Sequence, residues 1–195
     1  MTAKQFNSGE KALTRDECER LLAACSTLED RVMILLQVTL GLRRADLAAI
    51  PIAGIDLEAN QLPIPDPKGR GGVRMVPIGD RLKQEIVLLL ATIDTTKQTT
   101  LFSVGGRQMY NRFTQVAKVA GVRPGETITF PALRATACRF MADAGWRIEE
   151  IAEVLGVRIE TVQKHCPPPA KSRVMQTARE KEVVAGPGWG TRGEE

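Results

Sequence analysis

Residues 28–42 read LEDRVMILLQVTLGL, and this stretch decides the fold. After a charged first turn, its apolar side chains occur on nearly all sides, which is typical of a helix surrounded by other core elements. Upstream, Thr14-Arg15-Asp16-Glu17 has the capping-box pattern, in which the threonine hydroxyl and the glutamate carboxylate accept hydrogen bonds from free amides at a helix start. We therefore expect a first helix to begin near Thr14 and a central helix to follow over 28–42.

Two short β-prone segments follow the central helix, NQLPIPD over 60–66 and VRMVPIG over 73–79. Between them lies the basic stretch KGRGG, whose Gly71 and Gly72 can adopt the positive φ of a tight turn, so the pattern predicts an antiparallel hairpin. Amphipathic runs predict further helices over 81–93 after an Asp80 cap, over 108–120, over 131–144 and over 148–155. The fold class is therefore mainly α with a small antiparallel β-hairpin sheet, an α+β fold.

The chain of 195 residues is long enough for one domain with a trailing appendage. We assign residues 12–170 to this domain and residues 1–11 to a flexible N-terminal tail. Three consecutive prolines at 167–169 interrupt the chain, and residues 171–185 beyond them can form an amphipathic helix that docks on a partner. The glycine-rich residues 186–195 are expected to be disordered.

The composition of the chain limits the chemistry that it can perform. Hydrophobic residues make up 43% and charged residues 26%, without a long apolar run or a signal pattern, so we expect a cytoplasmic protein without membrane contact. The single histidine, His165, excludes a site with two histidines in one protomer. Four cysteines without a CxxC pair predict no metal site and, in a reducing compartment, free thiols. The net charge of +4 and the pI of about 9.0 favour an anionic partner.

Three motifs follow one another along the chain and suggest a function. They are GLRRADL over 41–47, Lys68 in the basic hairpin followed by RMVPI over 74–78, and ALR over 132–134. Together with Leu155-Gly156 and residues 160–166, these motifs resemble the catalytic domain of the tyrosine recombinases, the phage-integrase family. The resemblance covers roughly residues 12–170 and implies the catalytic-domain fold of that family. Because the match begins almost at the N-terminus, it also implies that the separate N-terminal core-binding domain of the family is absent.

The resemblance implies a site for phosphate chemistry on DNA. In the family, the first motif and H-x-L-R each supply an arginine, the hairpin a lysine, and LGH a histidine, and a tyrosine nine residues after that histidine attacks DNA. Arg43 and Arg134 are then the guanidiniums that stabilise the pentavalent phosphorus, because their planar donor groups suit negatively charged oxygens. Lys68 is the proton donor to the leaving 5′ oxygen, and Asp46, about one helical turn after Arg43, supports the site.

Further basic side chains are expected to contact DNA. The hairpin is one residue longer between Lys68 and Pro77 than expected for the family, so Arg70 is an alternative to Lys68 for reaching the DNA groove. The expected DNA-contacting residues are Arg44, Arg70, Arg74, Arg158 and Lys164. The implied partner is double-stranded DNA, and no cofactor is implied. In the family the C-terminal helix packs into a neighbouring protomer, so residues 171–185 are expected to contact a second copy or an intact recombinase.

Three positions depart from the family pattern. Pro131 replaces the histidine of H-x-L-R, Val157 replaces the histidine of LGH, and Cys166 lies at the position of the nucleophilic tyrosine. A thiol is a good nucleophile, but the cysteine side chain is shorter by an aromatic ring, and a misplacement of even ~1 Å lowers a rate by about 10²-fold. We therefore predict a DNA-binding protein of the recombinase type, from a mobile genetic element, that is defective in strand cleavage alone. Tyr110, on an unrelated helix, is interpreted as a packing or surface residue.

Three alternatives remain open. The first is an active recombinase that uses Cys166 as its nucleophile. The second is a helix-turn-helix transcriptional regulator, because residues 148–162 place Ala152, Gly156 and Val162 where that motif has a small residue, a turn glycine and an apolar residue. The third is an interaction module that modulates an intact recombinase through the segment after Pro169.

Overall fold

The structure, a computed structural model, describes residues 12–65 and 72–165, with the backbone alone for Lys164 and His165. The predicted tail 1–11, the predicted helix 171–185 and the predicted disordered end 186–195 lie outside these ranges, as does the predicted turn of the hairpin. The assignments made to these segments stay predictions.

The described residues form eight helices and two strands. The helices are α1 (Arg15–Ala23), α2 (Leu28–Leu40), α3 (Arg44–Ala48), α4 (Asp80–Leu90), α5 (Gly106–Val119), α6 (Phe130–Asp143), α7 (Ile148–Leu155) and α8 (Ile159–His165), and the strands are β1 (Gln61–Pro65) and β2 (Val73–Pro77). None of these helices has the length and apolar character needed to span a bilayer. The predicted class, mainly α with one small antiparallel sheet, is confirmed.

Helix α2 is the axis of the core, as the apolar run predicts. Val32, Ile34 and Leu36 are completely buried, and α2 packs against α6 and α4 and also contacts α1 and α5. The buried side-chain amide of Gln37 donates to the carbonyl of Leu42 at 3.0 Å. This hydrogen bond fixes the path of the chain immediately after the helix.

Helix α1 begins with the predicted capping box. The Thr14 hydroxyl accepts a hydrogen bond from the amide of Glu17 at 3.2 Å, and the Glu17 carboxylate accepts one from the amide of Thr14 at 2.7 Å. Arg123, in the loop before α6, donates from Nε to the same carboxylate at 2.8 Å. The hydrogen bond from Arg123 holds the pKa of Glu17 below its usual value. Helix α1 is thereby attached to the segment that leads into α6.

The two predicted strands form an antiparallel pair. Their register runs from Gln61 opposite Pro77 to Pro65 opposite Val73. Alternate residues of a strand point to opposite faces, so Val76 is buried under the sheet while Met75 is exposed. Arg74 shares the inward face with Val76, and this alternation directs it toward α7.

Several helix boundaries differ from the sequence prediction. Helix α2 ends at Leu40 because Gly41 adopts a left-handed conformation with φ of +57°, so GLRRADL forms a break and a separate helix, α3. Helix α4 begins at Asp80 with Gly79 as its N-cap, so Asp80 is the first helical residue and not the cap. Helix α5 begins at Gly106, slightly before the predicted start.

The described cysteines are not all in the same state. Cys18 and Cys25 are free thiols, and burial raises their pKa values to about 12 and about 11. Cys138 is disulfide-bonded. The expectation of free thiols is therefore wrong for Cys138, since cysteine spacing along the chain does not reveal which thiols the fold pairs.

Candidate functional site

Three arginine side chains from separate segments meet at the C-terminal end of α7. Arg43 directly precedes α3, Arg74 lies on β2, and Arg134 lies in α6. Arg134 donates from Nη1 to the carbonyl of Gly41 and from Nη2 to the carbonyl of Leu155, both at 2.6 Å. The structure thus brings together Arg43 and Arg134, the residues that the motifs assign to phosphate binding, and adds Arg74 to them.

Carbonyl oxygens at the end of α7 bind the other two guanidiniums. Arg43 donates from Nη2 to the carbonyl of Gly156 at 2.9 Å. Arg74 donates from Nη1 to the carbonyl of Glu153 at 3.1 Å and also to that of Val154. The last carbonyls of a helix have no partner within the helix and carry partial negative charge, so they are natural acceptors for guanidinium donors. We refer to Arg43, Arg74 and Arg134 together as the arginine cluster.

Two glycines leave space for the arginine cluster. Gly156 ends α7 with φ of +61°, and a Cβ atom added there would lie 2.9 Å from Cζ of Arg74. Gly41 has φ of +57°, and a Cβ atom there would lie 2.7 Å from Cδ2 of Leu155 and 3.2 Å from Cγ of Arg134. Both positions need glycine for conformation and for space. The glycines of the GLRR and LG motifs therefore shape the site.

The arginine cluster has an excess of positive charge. The buried Asp46 places Oδ2 3.7 Å from Nη1 of Arg43 and 3.8 Å from Nη2 of Arg74. Burial, together with the charges of Arg43 and Arg74, lowers the pKa of Arg134 to about 10, although Asp46 opposes the change. Asp46 thus lies beside Arg43 as the spacing predicts, and a bound anion would offset the remaining repulsion among the guanidiniums.

Two further predicted residues lie at the exposed edge of the site. Arg44 is exposed, and its Cζ lies 5.9 Å from the centroid of the Tyr110 ring, a distance typical of a cation–π contact. Arg158 is exposed in the turn between α7 and α8. Arg74, by contrast, is mostly buried beneath the site, where its hydrogen bonds go to α7.

A cavity of about 560 Å³ adjoins Arg43 and Arg134. Pro131 and Val157, the positions where the family pattern has histidines, both line it. Most of its other walls are apolar, and they include Leu42, Phe130, Ala135, Leu155 and Val162. The structure therefore brings the two replaced positions to one place, and neither side chain there can transfer a proton.

Tyr110 also lines this cavity. Its ring centroid lies 6.3 Å from that of Phe130, so Tyr110 is a packing residue, as expected, but it packs in the wall of the candidate site. The sequence carries no signal for this position, because α5 belongs to none of the motifs and reaches the site only through tertiary packing.

The other predicted site residues are not placed. Lys68, Arg70 and Cys166 lie outside the described residues, and the side chain of Lys164 is not described. Within residues 12–65 and 72–165, no group of three or more histidine, cysteine or acidic side chains is arranged to hold a metal ion. The described site therefore consists of guanidiniums, one carboxylate, the side chains of Tyr110 and Thr161, and apolar walls.

The chain is similar in sequence to a known protein family and to a curated recombinase. The model of the phage integrase family matches residues 11–165. The tyrosine recombinase XerA of Pyrococcus horikoshii is 28% identical over 151 residues, which cover 75% of this chain and 52% of XerA. The chain thus spans about half the length of this curated relative.

Two solved structures share the fold. A crystal structure of XerA recombinase has a TM-score of 0.72 at 21% identity, with 91% of this chain and 66% of that chain covered. XerH site-specific recombinase, bound to its difH substrate in a pre-cleavage complex, has a TM-score of 0.68 at 18% identity, with 91% and 55% covered. The implied catalytic-domain fold is confirmed. Because the family model covers most of its length, the chain belongs to the phage integrase family, the tyrosine recombinases.

Proposed function

We propose that this chain binds duplex DNA through the surface around Arg43 and Arg134 and that it does not cleave DNA by itself. The observation that supports the proposal is the convergence of the arginine cluster at the end of α7. A phosphodiester is an anion whose oxygens accept hydrogen bonds from planar guanidinium donors. The Tn1549 transposon integrase, which has the same fold, is in complex with transposon right end DNA in its solved structure.

Arg43 is the guanidinium best placed to meet a phosphate. Its side chain is 48% exposed, and its hydrogen bond to Gly156 uses one of the five N–H donors that an arginine carries. Arg134 is more buried and is held by two carbonyls, so it lines the cavity in a fixed orientation. Donors held in advance need no reorganisation when an anion binds. Exposed Arg44 and Arg158 extend the basic surface around them.

The residues at three positions argue against strand cleavage. Pro131 and Val157 lack proton-transfer groups, and they line the cavity beside Arg134. Loss of one positioned acid–base group lowers a rate by roughly 10²–10⁴-fold. Cys166 at the position of the nucleophile has a side chain too short to replace a tyrosine. Proton donation by Lys68 to the leaving 5′ oxygen cannot break the DNA strand unless a nucleophile attacks the phosphorus.

Replacing Arg43 and Arg134 together by alanine should weaken duplex binding by at least about 100-fold, since each charge-assisted hydrogen bond contributes about 1.5–3 kcal/mol. The slope of log affinity against log salt concentration should fall by about 2, because two phosphate contacts are lost. Fluorescence anisotropy of a labelled duplex over a series of salt concentrations measures both quantities.

Arg20→Ala combined with Arg81→Ala is the matched control. Arg20 pairs with Asp16 at 3.1 Å and Arg81 pairs with Glu19 at 2.7 Å, so the control removes the same charge outside the site. It should retain affinity within about threefold, because exposed charges far from the ligand are screened. Equal losses in the two double variants would show that net charge alone drives binding and would contradict the proposal.

The helix-turn-helix alternative has one supporting observation, since α7 and α8 are short helices joined through Gly156 with φ of +61°. In that alternative, α8 contacts the bases of the DNA. The double variant Arg158→Ala, Lys164→Ala should then weaken DNA binding more than the double variant at Arg43 and Arg134. The same anisotropy measurements distinguish the two functions. We favour the arginine cluster because its donors converge on one place, whereas Arg158 is a single exposed cation.

Incubation with a pool of nicked duplexes of randomised sequence should give no covalent protein–DNA adduct. Such substrates trap a cleaving enzyme, because a short fragment diffuses away and the strand cannot be rejoined. Denaturing gel electrophoresis detects the adduct as a band of lower mobility. An adduct that forms with the unchanged chain and disappears in Cys166→Ser would contradict the proposal that the chain does not cleave DNA, and would favour the active recombinase. The anisotropy measurements test DNA binding independently of this result.

A further inference from the structure

The cavity beside Arg43 and Arg134 has the properties of a small-molecule site. Its volume of about 560 Å³ lies within the range of about 300–1,000 Å³ that is typical of ligand pockets. Phe130, Leu155 and Val162 line it, and each is at most 7% exposed. A phosphate of a duplex gains nothing from such walls, because burial of apolar surface requires apolar surface on the ligand.

The two residues that replace the family's histidines make the cavity more apolar. Pro131 and Val157 both line it. An imidazole at either position would bring ring nitrogens that donate or accept hydrogen bonds, whereas the proline ring and the valine methyl groups supply carbon surface. The same two replacements that argue against cleavage therefore favour an apolar ligand.

One edge of the cavity is cationic. The lining residues that the structure describes include Arg43, Arg44 and Arg134 and no acidic side chain. Arg43 and Arg44 are exposed, and the guanidinium of Arg44 lies over the ring of Tyr110, which also lines the cavity. Burial and the neighbouring cations lower the pKa of Arg134, so an anion bound here would stabilise a group that the fold alone does not neutralise.

We propose that this cavity binds an amphipathic organic anion, with its acidic group on Arg43 and Arg134 and its apolar or aromatic body against Phe130 and Val157. The proposal goes beyond DNA binding, because apolar walls and charge together recognise the ligand. A regulatory consequence, which rests on the proposed function, is that the ligand and DNA exclude each other at Arg43 and Arg134.

The probe is anilinonaphthalene sulfonate, a fluorescent aromatic anion, and its control is N-phenylnaphthylamine, the same skeleton without the sulfonate. Titration of the full chain without DNA should give a single saturable site for the sulfonate. The neutral compound should bind at least about 10-fold more weakly, because it cannot form a charge-assisted hydrogen bond with a guanidinium.

Val157→Glu should weaken binding of the sulfonate by at least about 10-fold, because it places a carboxylate in the wall of the cavity. Thr161→Glu, at a partly exposed lining position on α8, should also weaken binding of the sulfonate, and it perturbs the core less. Val119→Glu is the matched control, since Val119 is 74% exposed and does not line the cavity. It should change binding by less than about twofold, as expected for a screened surface charge.

Equal binding of the sulfonate and the neutral compound overturns the proposal, as does binding that neither cavity variant reduces. Absence of binding to the full chain also overturns it, including the case in which residues 166–195 fill the cavity. None of these titrations contains DNA, whereas the anisotropy measurements contain no probe. A failure of this inference is therefore distinguishable from a failure of the proposed function.

Discussion

Gly41→Ala is expected to lower the free energy of unfolding by about 2–5 kcal/mol. Gly41 has φ of +57°, and an added Cβ atom would lie 2.7 Å from Cδ2 of Leu155 and 3.0 Å from Cβ of Ala137. A residue with a side chain in this left-handed conformation costs about 1–2 kcal/mol, and an extra methyl group in a packed core costs about 1–3 kcal/mol. Leu155 and Ala137 are both buried, so neither can move aside freely. Urea-induced unfolding measures the loss.

Gly121→Ala separates the two contributions. Gly121 has a similar φ of +59°, but no heavy atom lies within 4 Å of an added Cβ atom. Only the conformational cost of about 1–2 kcal/mol is therefore expected. The difference between the two variants measures the crowding at Gly41. If both variants lost the same stability, the close packing of α6 and α7 on Gly41 would be contradicted.

Arg134→Met is expected to weaken DNA binding by at least about 10-fold while changing the free energy of unfolding by less than about 1.5 kcal/mol. Burial and the charges of Arg43 and Arg74 lower the pKa of Arg134 to about 10, which means that the fold disfavours its charged form. Methionine reaches about as far as Nε of the arginine and carries no charge, so it keeps the packing of the aliphatic part of the side chain and removes this cost. Methionine also loses the two hydrogen bonds to main-chain carbonyls. The loss of these hydrogen bonds lowers the free energy of unfolding, whereas removal of the buried charge raises it.

Arg123→Met is the matched control with the opposite expectation. Arg123 donates to the buried carboxylate of Glu17 at 2.8 Å, and this hydrogen bond raises the pKa of Arg123. Its removal should cost about 1–3 kcal/mol, because Glu17 loses this partner, and should leave DNA affinity unchanged. Thermal unfolding and anisotropy of both variants measure the two properties. A larger loss of stability in Arg134→Met than in Arg123→Met would show that Arg134 stabilises the fold, and would contradict the interpretation that it serves mainly to bind DNA.

Elements with strong local signals could be predicted from the sequence. The capping box at Thr14, the apolar run of α2 and the two strands each depend on side chains only a few residues apart. The break at Gly41 could not, because a glycine near the end of an apolar run is compatible both with a continuing helix and with a left-handed end. The separate helix α3 follows from that break.

The arginines of the site could be predicted from motifs, but the contacts that hold them could not. Strand alternation places Arg74, a predicted DNA contact, on the face of buried Val76, where it donates to α7; its contact with DNA stays a prediction. That alternation was a usable signal. Tyr110 has no such signal, because only the packing of α5 brings it to the cavity. Lys68 and Cys166 stay predictions.

The arginine cluster is held by main-chain oxygens, those of Gly41 and of residues 153–156. Every amino acid supplies the same carbonyl group, so the orientation of these cations does not depend on which side chain evolution leaves at Val157 or Pro131. The absence of acid–base side chains at these two positions is therefore compatible with an intact arginine cluster. The proposed binding of DNA and the proposed loss of strand cleavage thus depend on different parts of the site.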